Sequence, residues 1–505
     1  MKFFHLSYLI FIVSCCLVGC QTGTTQKKTF TITPDTTSVL KNPAMGWTMY
    51  SEGWELYPYF QNNFDRINVD SFWEEMDAVG APDVSNILYI RAIWTAFEPE
   101  EGKYAWESDP NFIKLVEGAQ KRKLKLAFRI FHDSRDMVQQ ATPEYVFEAG
   151  ASFKKVIGKT GELKTPYYDD PVFQEKFDRF LTAFAKKFDN PDLVDFIDAY
   201  GLGRWGEGHG VLLKNKENYH QVVDWITTSY AERFQKILPV LNVSFADYKY
   251  TNPLAFDRYQ FLPRRDGLGS FWFSKQDQEI LNSLFPQNAF IGEACYWLTS
   301  PTGDTLKNRS FEQDKQYHFK SFKSTFPAAL NDALNFHSNT MDLRVPLECK
   351  YWIEELPDLV QKFITHGGYR FYPSQLSVTQ NGNTLTIAHQ WNNLGVGILP
   401  NKHPNWNQKY QVAFALFNEA GSLKKKWISK KAEPSDWLKD IPGKYSETFN
   451  LSDVPENTYQ LAVAIVDTSS DDQPGIQLAV DQKRLNDKGW VQIGMLPINQ
   501  KNKKE

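Results

Sequence analysis

The chain has 505 residues, too many for one ordinary core, so about two or three domains are expected. Its hydrophobic fraction of 42% and aromatic fraction of 15% are ample for large cores, and such rings also stack on the apolar faces of sugars. A formal net charge of −4 excludes the basic footprint of a nucleic-acid-binding protein.

Residues 1–20 carry a targeting signal rather than part of the fold. Lys2 precedes an apolar stretch that is too short for a comfortable membrane span. The stretch ends on "LVGC", which resembles the lipobox of bacterial lipoproteins. That resemblance implies that Cys20 is lipidated and becomes the first residue of the mature chain. The alternative is an ordinary secretory signal with an incidental cysteine.

Residues 21–40 begin with the polar run "QTGTTQKKT" and are predicted to form a flexible tether. No later segment is apolar enough to cross a bilayer. We therefore expect a cell-envelope protein, facing the periplasm or the surface of an outer membrane, that touches the membrane through its lipid anchor only.

Residues 41–366 alternate short apolar runs with longer amphipathic stretches whose apolar residues recur at three and four. The predicted strands are GWTMY, NILYIRAIW, LKLAFRIF, DFIDAYGLG, PVLNVSF, GSFWF, AFIGEACYW and ALNFHS. Strand–helix alternation is typical of a parallel sheet, and eight such units predict a closed (β/α)8 TIM barrel. The longest insertion, from Met137 to Asp170, follows the third strand and is expected on the ligand-binding face.

Residues 369–497 have a different pattern of apolar and polar residues. "LSVTQNGNTLTIAHQWNN" contains two alternating strands around an Asn-Gly turn, which is a hairpin signal. Further strand patterns follow with no helical periodicity. This part is therefore predicted to be an antiparallel, immunoglobulin-like β-sandwich.

Two glutamates stand out at predicted strand ends, where barrel enzymes place their functional groups. Glu207 lies in "GRWGEGHG" after the fourth strand, and Glu293 lies in "FIGEACYW" at the seventh. Each follows a glycine, which lets the backbone approach closely. Two carboxylates on opposite barrel walls suit glycoside hydrolysis, in which one acts as general acid and the other attacks or stabilises the anomeric carbon.

Other polar and aromatic residues at the predicted strand ends are expected to contact a carbohydrate substrate. These candidates are Arg91, Trp94, His132, Asp133, Trp205, His209, Tyr296, Trp297, His337 and Asn339. Glu98, in the turn-rich "FEPEEGKYAW", is expected to have a structural role instead.

The segments "NILYIRAIWTAFEPEEGKYAWE" and "DNPDLVDFIDAYGLGRWGEGH" resemble the second-strand and fourth-strand segments of the clan A retaining glycoside hydrolases, in particular the β-galactosidase-like members. The order "NPAMGW", W-G-E turn and "GGYRF" is also similar to that of poorly characterised bacterial lipoproteins with a barrel and a β-sandwich. The clan resemblance implies Glu207 as acid/base, Glu293 as nucleophile and no cofactor. One departure is Gly206, because the clan usually has Asn immediately before its acid/base.

Three alternatives remain open from the residues. Glu207 could brace its glycine loop through backbone N–H groups, and Glu293 could pair with Arg91 or Arg129 inside the barrel. The chain could then be a non-catalytic glycan-binding lipoprotein. A third option is a metal-dependent hydrolase, with His132, His209 and His337 joined by Asp133 and Glu207, although no local ligand spacing supports it. The sequence specifies neither the sugar nor an oligomeric state.

Overall fold

The computed structural model describes residues 26–51, 53–54, 68–270, 272–294, 322–344 and 346–499. The predicted signal peptide, with Cys20, and the predicted site residues Tyr296 and Trp297 lie outside these ranges. Within these ranges, no helix has both the length and the apolar composition needed to span a bilayer.

Eight parallel strands form a barrel. They are β2 (Gly46–Ser51), β3 (Ser85–Ile93), β4 (Lys125–Phe131), β7 (Val194–Asp198), β8 (Leu238–Asn242), β9 (Leu262–Leu268), β10 (Ile291–Ala294) and β11 (Thr340–Leu343). Each pairs in parallel with its neighbours in the order β10-β9-β8-β7-β4-β3-β2-β11. A parallel bridge between Phe290 and Ser338 joins the two ends of this order. The predicted (β/α)8 barrel is therefore confirmed.

Two of the eight strand predictions are wrong. The sixth strand is "LPRRDGL", β9, and the described residues of the predicted "GSFWF" lie in the turn that follows it. The eighth strand is "TMDL", β11, whereas the predicted "ALNFHS" spans the end of a helix and the connection after it. Both errors arise because buried charged residues interrupt the apolar runs that identify strands.

The helices of the described ranges surround the barrel. They are α1 (Val69–Ala78), α2 (Ala81–Val84), α3 (Trp94–Phe97), α4 (Ala105–Ser108), α5 (Pro110–Lys121), α6 (Glu144–Glu148), α7 (Pro171–Phe188), α8 (Tyr219–Arg233), α9 (Tyr248–Asn252), α10 (Lys275–Leu284), α11 (Phe322–Asn335), α12 (Pro346–Lys350) and α13 (Pro357–His366). Short 3-10 or π-helical segments span Lys216–Asn218, Pro253–Arg258, Tyr351–Glu355, Pro434–Asp436 and Gln482–Arg484.

Helix α7 illustrates how the sequence sets these elements. Asp170 caps it by accepting from the backbone N–H of Val172 at 2.9 Å, and Pro171 occupies the first helical position. Its phenylalanines recur on one face and are buried against the barrel. The insertion before it contains α6 and a hairpin of β5 (Phe153–Ile157) and β6 (Glu162–Pro166).

Two antiparallel sheets form the C-terminal part, as predicted. The first has the order β1-β12-β13-β16, with β1 (Gln26–Thr31), β12 (Phe371–Asn381), β13 (Thr384–Asn393) and β16 (Gly443–Asn450). The second has the order β15-β14-β17-β18, with β19 also on β17; its strands are β14 (Tyr410–Phe417), β15 (Leu423–Ile428), β17 (Asn457–Asp467), β18 (Gln473–Ile476) and β19 (Val491–Ile498).

Strand β1 differs from the prediction that residues 21–40 form a flexible tether. Gln26–Thr31 pairs antiparallel with β12, with Phe30 opposite Leu376, and adds an edge strand to the sandwich. The backbone of β1 pairs with an edge of β12 that would otherwise be unpaired, and Phe30 packs against the apolar cluster of the sandwich. The sandwich therefore includes chain from before the barrel.

The sandwich packs against the N-terminal ends of the barrel strands through a continuous apolar cluster. Asn339 lies at this junction, where its amide donates to Ala44 O at 2.9 Å and Ile398 O at 2.8 Å. His337 also lies here, stacked on Phe285 with its Nδ1 facing Val396 O at 3.2 Å. Both residues precede β11, so they are at the opposite end of the barrel from the strand ends that were expected to hold substrate. Their assignment to the substrate site is corrected to a structural one.

Candidate active site

Glu207 is held by the glycine-rich loop that follows β7. Gly201, Gly203, Gly206, Gly208 and Gly210 all have positive φ, a region that favours glycine. At Gly201 a Cβ atom would lie 1.8 Å from the carbonyl oxygen of Ile130, so no other residue fits there. The loop closes on itself through Arg204 N and His209 O at 3.0 Å. These constraints fix Glu207 at the C-terminal end of the barrel.

Glu293 lies inside β10 and is 3% exposed. A Cβ atom on the preceding Gly292 would be 2.3 Å from Ser338 Oγ, so this glycine lets β10 pack closely against the chain leading into β11. Because side chains alternate along a strand, Glu293 points to the other face of β10, into the barrel, where it meets Arg91 and Arg264.

One arginine nitrogen joins the two glutamates. Arg264 Nη2 contacts Glu207 Oε1 at 3.3 Å and forms a close hydrogen bond to Glu293 Oε2. The two bonded oxygens consequently lie within roughly 6 Å of each other, the sum of two hydrogen-bond lengths. The structure thus brings together the two carboxylates that the sequence singled out.

Glu293 is surrounded by arginines from four parts of the barrel. Its Oε1 accepts from Arg91 Nη1 at 3.1 Å and from Arg344 Nη2 at 2.7 Å. On the other side, Arg129 Nη2 lies 3.7 Å from Oε2, which Arg264 also contacts. The pairing of Glu293 with Arg91 and Arg129, one of the alternatives raised by the sequence, is therefore present.

Burial by itself would raise the pKa of Glu293, but the guanidinium groups outweigh it. Arg264, Arg344 and Arg91 hold the pKa of Glu293 well below its ordinary value. Asp342 behaves in the opposite way, because burial and the nearby Glu293 raise its pKa despite its pairing with Arg344. Glu293 is therefore the more firmly ionised of these two neighbouring carboxylates.

Asp198 anchors the deep side of the cluster. It accepts from Arg129 Nε at 2.8 Å and from Tyr89 Oη at 2.6 Å, and Arg264 Nε lies 3.3 Å away. Arg129 and Arg264 are both buried, and each reaches from Asp198 toward the two glutamates. Asp198 therefore determines where both guanidinium groups present their outer nitrogens.

One carboxylate oxygen of Glu207 accepts a hydrogen bond from an arginine, and the other lies near a histidine. Oε1 accepts from Arg129 Nη1 at 2.7 Å, whereas His209 Nε2 lies 3.8 Å from Oε2. His209 is 52% exposed, and the partly buried Trp205 ring lies 5.7 Å from its imidazole. These two predicted residues therefore border Glu207 on the solvent side.

Glu207 accepts no backbone N–H among the described hydrogen bonds, so loop bracing is not its role.

The position before Glu207, Gly206, is closely surrounded by other parts of the barrel. Its φ is +75°, and a Cβ there would lie 3.1 Å from Gly201 Cα and 3.3 Å from Arg129 Cδ. A side chain before Glu207 would therefore press on the Gly201 backbone, on Phe131 Cβ at 3.1 Å and on Arg129, and these neighbours would have to shift slightly.

Three other predicted residues do not reach this site. Trp94 is fully buried and donates to Glu98 Oε2 at 3.1 Å, which also confirms the structural role of Glu98. His132 is buried among aromatic rings, including Phe177 at 4.3 Å, and burial lowers its pKa to about 3. Asp133 braces its own loop by accepting from Arg135 N at 2.8 Å. Packing, rather than substrate, accounts for each of them.

The three histidines of the metal hypothesis do not converge, because His132 is enclosed in the core and His337 is at the other end of the barrel. Across the described ranges, no group of three or more His, Cys, Asp or Glu side chains is arranged to hold a metal ion.

Arg264, Arg344 and Asp198 are the site residues that the sequence interpretation missed. A usable signal was "LPRRDGL", since three consecutive charged residues between apolar ones are unusual unless they are buried in pairs.

We expect Gly206→Asn, which restores the clan residue, to destabilise the protein. Asn tolerates a positive φ, so the cost comes from its Cβ pressing on Arg129 and Gly201. Gly421→Asn is the matched control, because Gly421 has φ +71° and nothing within 4 Å of its Cβ position. Chemical denaturation should place the Gly206 variant about 1–3 kcal/mol below the control. Equal free energies of unfolding would contradict this packing argument.

Glu293→Gln should destabilise the protein in a pH-dependent way. The pKa of Glu293 is depressed below its ordinary value of 4.5, so the carboxylate stabilises the fold fully above that pH and less as pH falls through the folded pKa. At pH 7 the variant should lose about 3–5 kcal/mol of unfolding free energy, because it leaves buried guanidinium groups uncompensated. The deficit should shrink below pH 4.5, and the exposed Glu107→Gln should show no such trend. A pH-independent deficit would contradict the charge argument.

No family model matches the chain, and no curated protein matches it. It is similar to the solved structure of an exo-β-1,4-mannosidase from Opitutaceae bacterium strain TAV5, with 12% identity, TM-score 0.37 and coverage of 67% of this chain and 58% of the mannosidase. An endogalactoceramidase matches with 12% identity, TM-score 0.38 and coverage of 84% and 99%. A glycoside hydrolase family 5 enzyme from Prevotella bryantii B14 matches with 10% identity, TM-score 0.39 and coverage of 66% and 99%.

Proposed function

We propose that the protein is a glycoside hydrolase that uses Glu207 and Glu293 as its pair of carboxyl groups. The observation that carries the proposal is that both glutamates bond one nitrogen of Arg264, which keeps the two carboxyl groups together, with their Arg264-bonded oxygens within roughly 6 Å of each other. Retaining enzymes separate their carboxyl groups by about 5–5.5 Å, and inverting enzymes by about 6.5–9.5 Å. The geometry therefore favours a retaining mechanism.

In this mechanism Glu293 is the nucleophile. Its carboxylate attacks the anomeric carbon while the bond to the leaving oxygen breaks, which gives a glycosyl-enzyme intermediate. A nucleophile must be ionised, and the arginines around Glu293 hold its pKa well below the ordinary range. Water then attacks the same carbon and releases Glu293.

Glu207 is the general acid and, in the second step, the general base. Its Oε1 is occupied by Arg129, so Oε2, on the side of the solvent-exposed His209, is the oxygen that would pass a proton to the leaving group. In the second step Oε2 would take a proton from the attacking water. His209 and Trp205, which border it, are the residues placed to contact the sugar.

A second candidate function is glycan binding without turnover. The observation that favours it is the saturation of Glu293, whose two oxygens face four guanidinium groups. A carboxylate held this way loses favourable interactions as its charge decreases during attack. Kinetics separate the two candidates, since only a hydrolase releases reducing sugar.

We expect the wild-type protein to release reducing sugar from at least one member of a glycan panel, and Glu293→Gln to release none. Glu207→Ala should lose about 10²–10⁴-fold on substrates with poor leaving groups and much less on aryl glycosides with good ones, which need little protonation. Azide should restore turnover to Glu293→Ala as a glycosyl azide of inverted configuration.

The exposed Glu107→Gln is the control, and each variant is assayed only after its circular dichroism shows that it is folded. Wild-type rates in both glutamate variants would refute the roles of these residues. Binding of a glycan with no turnover by the wild type would favour the second candidate.

We also propose that Cys20 carries the lipid that holds the protein at the cell envelope, because "LVGC" is the one targeting pattern in the sequence. Cys20→Ser should move the protein from the membrane fraction to the soluble fraction, as followed by immunoblotting. A variant that still sediments with membranes would place the anchor elsewhere.

A further inference from the structure

The β-sandwich has one end against the barrel and one end away from it. At the barrel end, Ile398 N donates to Asn339 Oδ1 at 3.1 Å and Gln477 N donates to Asn42 Oδ1 at 2.7 Å. The strands run from there to a set of turns at the other end. We refer to this other end as the distal end, and its turns span residues 381–384, 417–423 and 450–457.

The chain enters and leaves the described structure at the distal end. Gln26, the first residue of β1, pairs with Gln380. The Gln380 side chain also donates to Asn499 O at 2.5 Å, directly after β19. In the same region Ile498 pairs with Asn457, the first residue of β17. The segment before β1 and the segment after β19 are therefore attached at neighbouring points of one surface.

Lysines are concentrated at the distal end. Lys27, Lys28 and Lys424 are exposed there, and Lys425 forms a close ion pair with Asp453. Together with the residues that follow Asn499, this end has seven lysines and four carboxylates, whereas the whole chain has a net charge of −4. The lysines are Lys27, Lys28, Lys424, Lys425, Lys501, Lys503 and Lys504, and the carboxylates are Glu419, Asp453, Glu456 and Glu505. The distal end is therefore basic on a chain that is acidic as a whole.

Three of these lysines, Lys501, Lys503 and Lys504, follow Asn499 within five residues and are called the tail lysines. A fully extended chain of five residues reaches about 18 Å, which is roughly two Debye lengths at physiological ionic strength. Covalent attachment at Asn499 thus keeps the charges of the tail lysines close to those of Lys27 and Lys28.

A charged bilayer surface fits this end better than a compact anionic ligand does. Its lysines are spread over turns and chain ends, and a lysine acts as a flexible point charge rather than as a directional fork. Leu423, beside Lys424, is 42% exposed at the same end. Lysines with an adjacent exposed apolar side chain suit the headgroup region of a membrane, where anionic lipids attract basic segments.

We infer that the distal end of the sandwich binds the anionic headgroups of a phospholipid bilayer through its lysines. The contact is independent of the hydrolase proposal and needs no lipid on Cys20. Salt screens charges at this range, so the contact should weaken as ionic strength rises. By itself it would not retain the protein in a membrane fraction prepared at high salt.

The test is co-sedimentation with vesicles of the chain from Gln21 onward, which contains every described element and carries neither leader nor lipid. Vesicles of phosphatidylglycerol and phosphatidylcholine in equal parts should bind it at about 0.02 M salt and release it near about 0.5 M. Vesicles of phosphatidylcholine alone should not bind it.

The triple variant Lys27→Gln, Lys28→Gln, Lys424→Gln should bind the mixed vesicles about tenfold more weakly, because each lysine near an anionic surface contributes to the attraction. Replacing the three tail lysines by glutamine should have an effect of similar size. Circular dichroism and thermal unfolding establish that each variant is folded before it is assayed.

The matched control is the triple variant Lys439→Gln, Lys483→Gln, Lys488→Gln, which removes the same charge from exposed positions near the barrel end of the sandwich. Lys439 bridges Asn393 at the end of β13, and Lys483 and Lys488 precede the start of β19. This variant should bind the mixed vesicles as the wild type does.

The absence of binding to mixed vesicles at low salt would overturn the inference, as would equal binding to phosphatidylcholine alone. Equal weakening by the control variant would show a general charge effect and would also overturn it. Binding to heparin without binding to vesicles would assign the surface to a soluble polyanion instead. The assay involves no glycan turnover, so none of these outcomes bears on Glu207 and Glu293.

Discussion

The arrangement of the barrel mouth depends on the buried contact of Asp198 with Arg129 and Arg264. Two guanidinium groups side by side repel each other and are costly to remove from water unless carboxylates compensate them. Asp198 compensates both guanidinium groups at their inner nitrogens, and Glu207 and Glu293 contact their outer nitrogens. The two glutamates are therefore required by the stability of the cluster as well as by any chemistry at the site.

For the proposed hydrolase, the need for Glu293 in the stability of the cluster conflicts with its use as a nucleophile. A nucleophilic carboxylate gives up charge as it attacks, whereas four arginines favour the fully charged state. Arg344 is the most exposed of the four, at 20% of its side chain, and it is shared between Glu293 and Asp342. A substrate that displaced Arg344 toward Asp342 would leave Arg91 as the remaining hydrogen-bond donor to Glu293 Oε1.

Sequence reasoning succeeded where local pattern decides structure. The hairpin between β12 and β13, which turns at Gly382, and the glycines before Glu207 and Glu293 are local signals, and each lies where it was expected. Sequence reasoning failed where charged residues, which usually lie at the surface, are buried. The "RRD" of β9 reads as exposed loop, because nothing nearby in sequence shows that carboxylates from β7 and β10 meet it across the barrel.

The same limit accounts for the residues that were placed in the wrong role. Trp94 and His132 do lie at the C-terminal ends of their strands, but their rings turn outward into the layer between strands and helices, which the position in sequence does not reveal. His337 and Asn339 were misplaced because the last strand begins only after them.

The pairing of β1 with β12 has a consequence for where the molecule would sit. If Cys20 is the lipidated residue, only five residues separate it from Gln26, and a fully extended chain of that length spans about 20 Å. The sandwich would then lie close to the lipid headgroups, between the bilayer and the barrel. Because the sandwich covers the N-terminal ends of the barrel strands, the opening above Glu207 would point away from the bilayer, toward polymer arriving from outside.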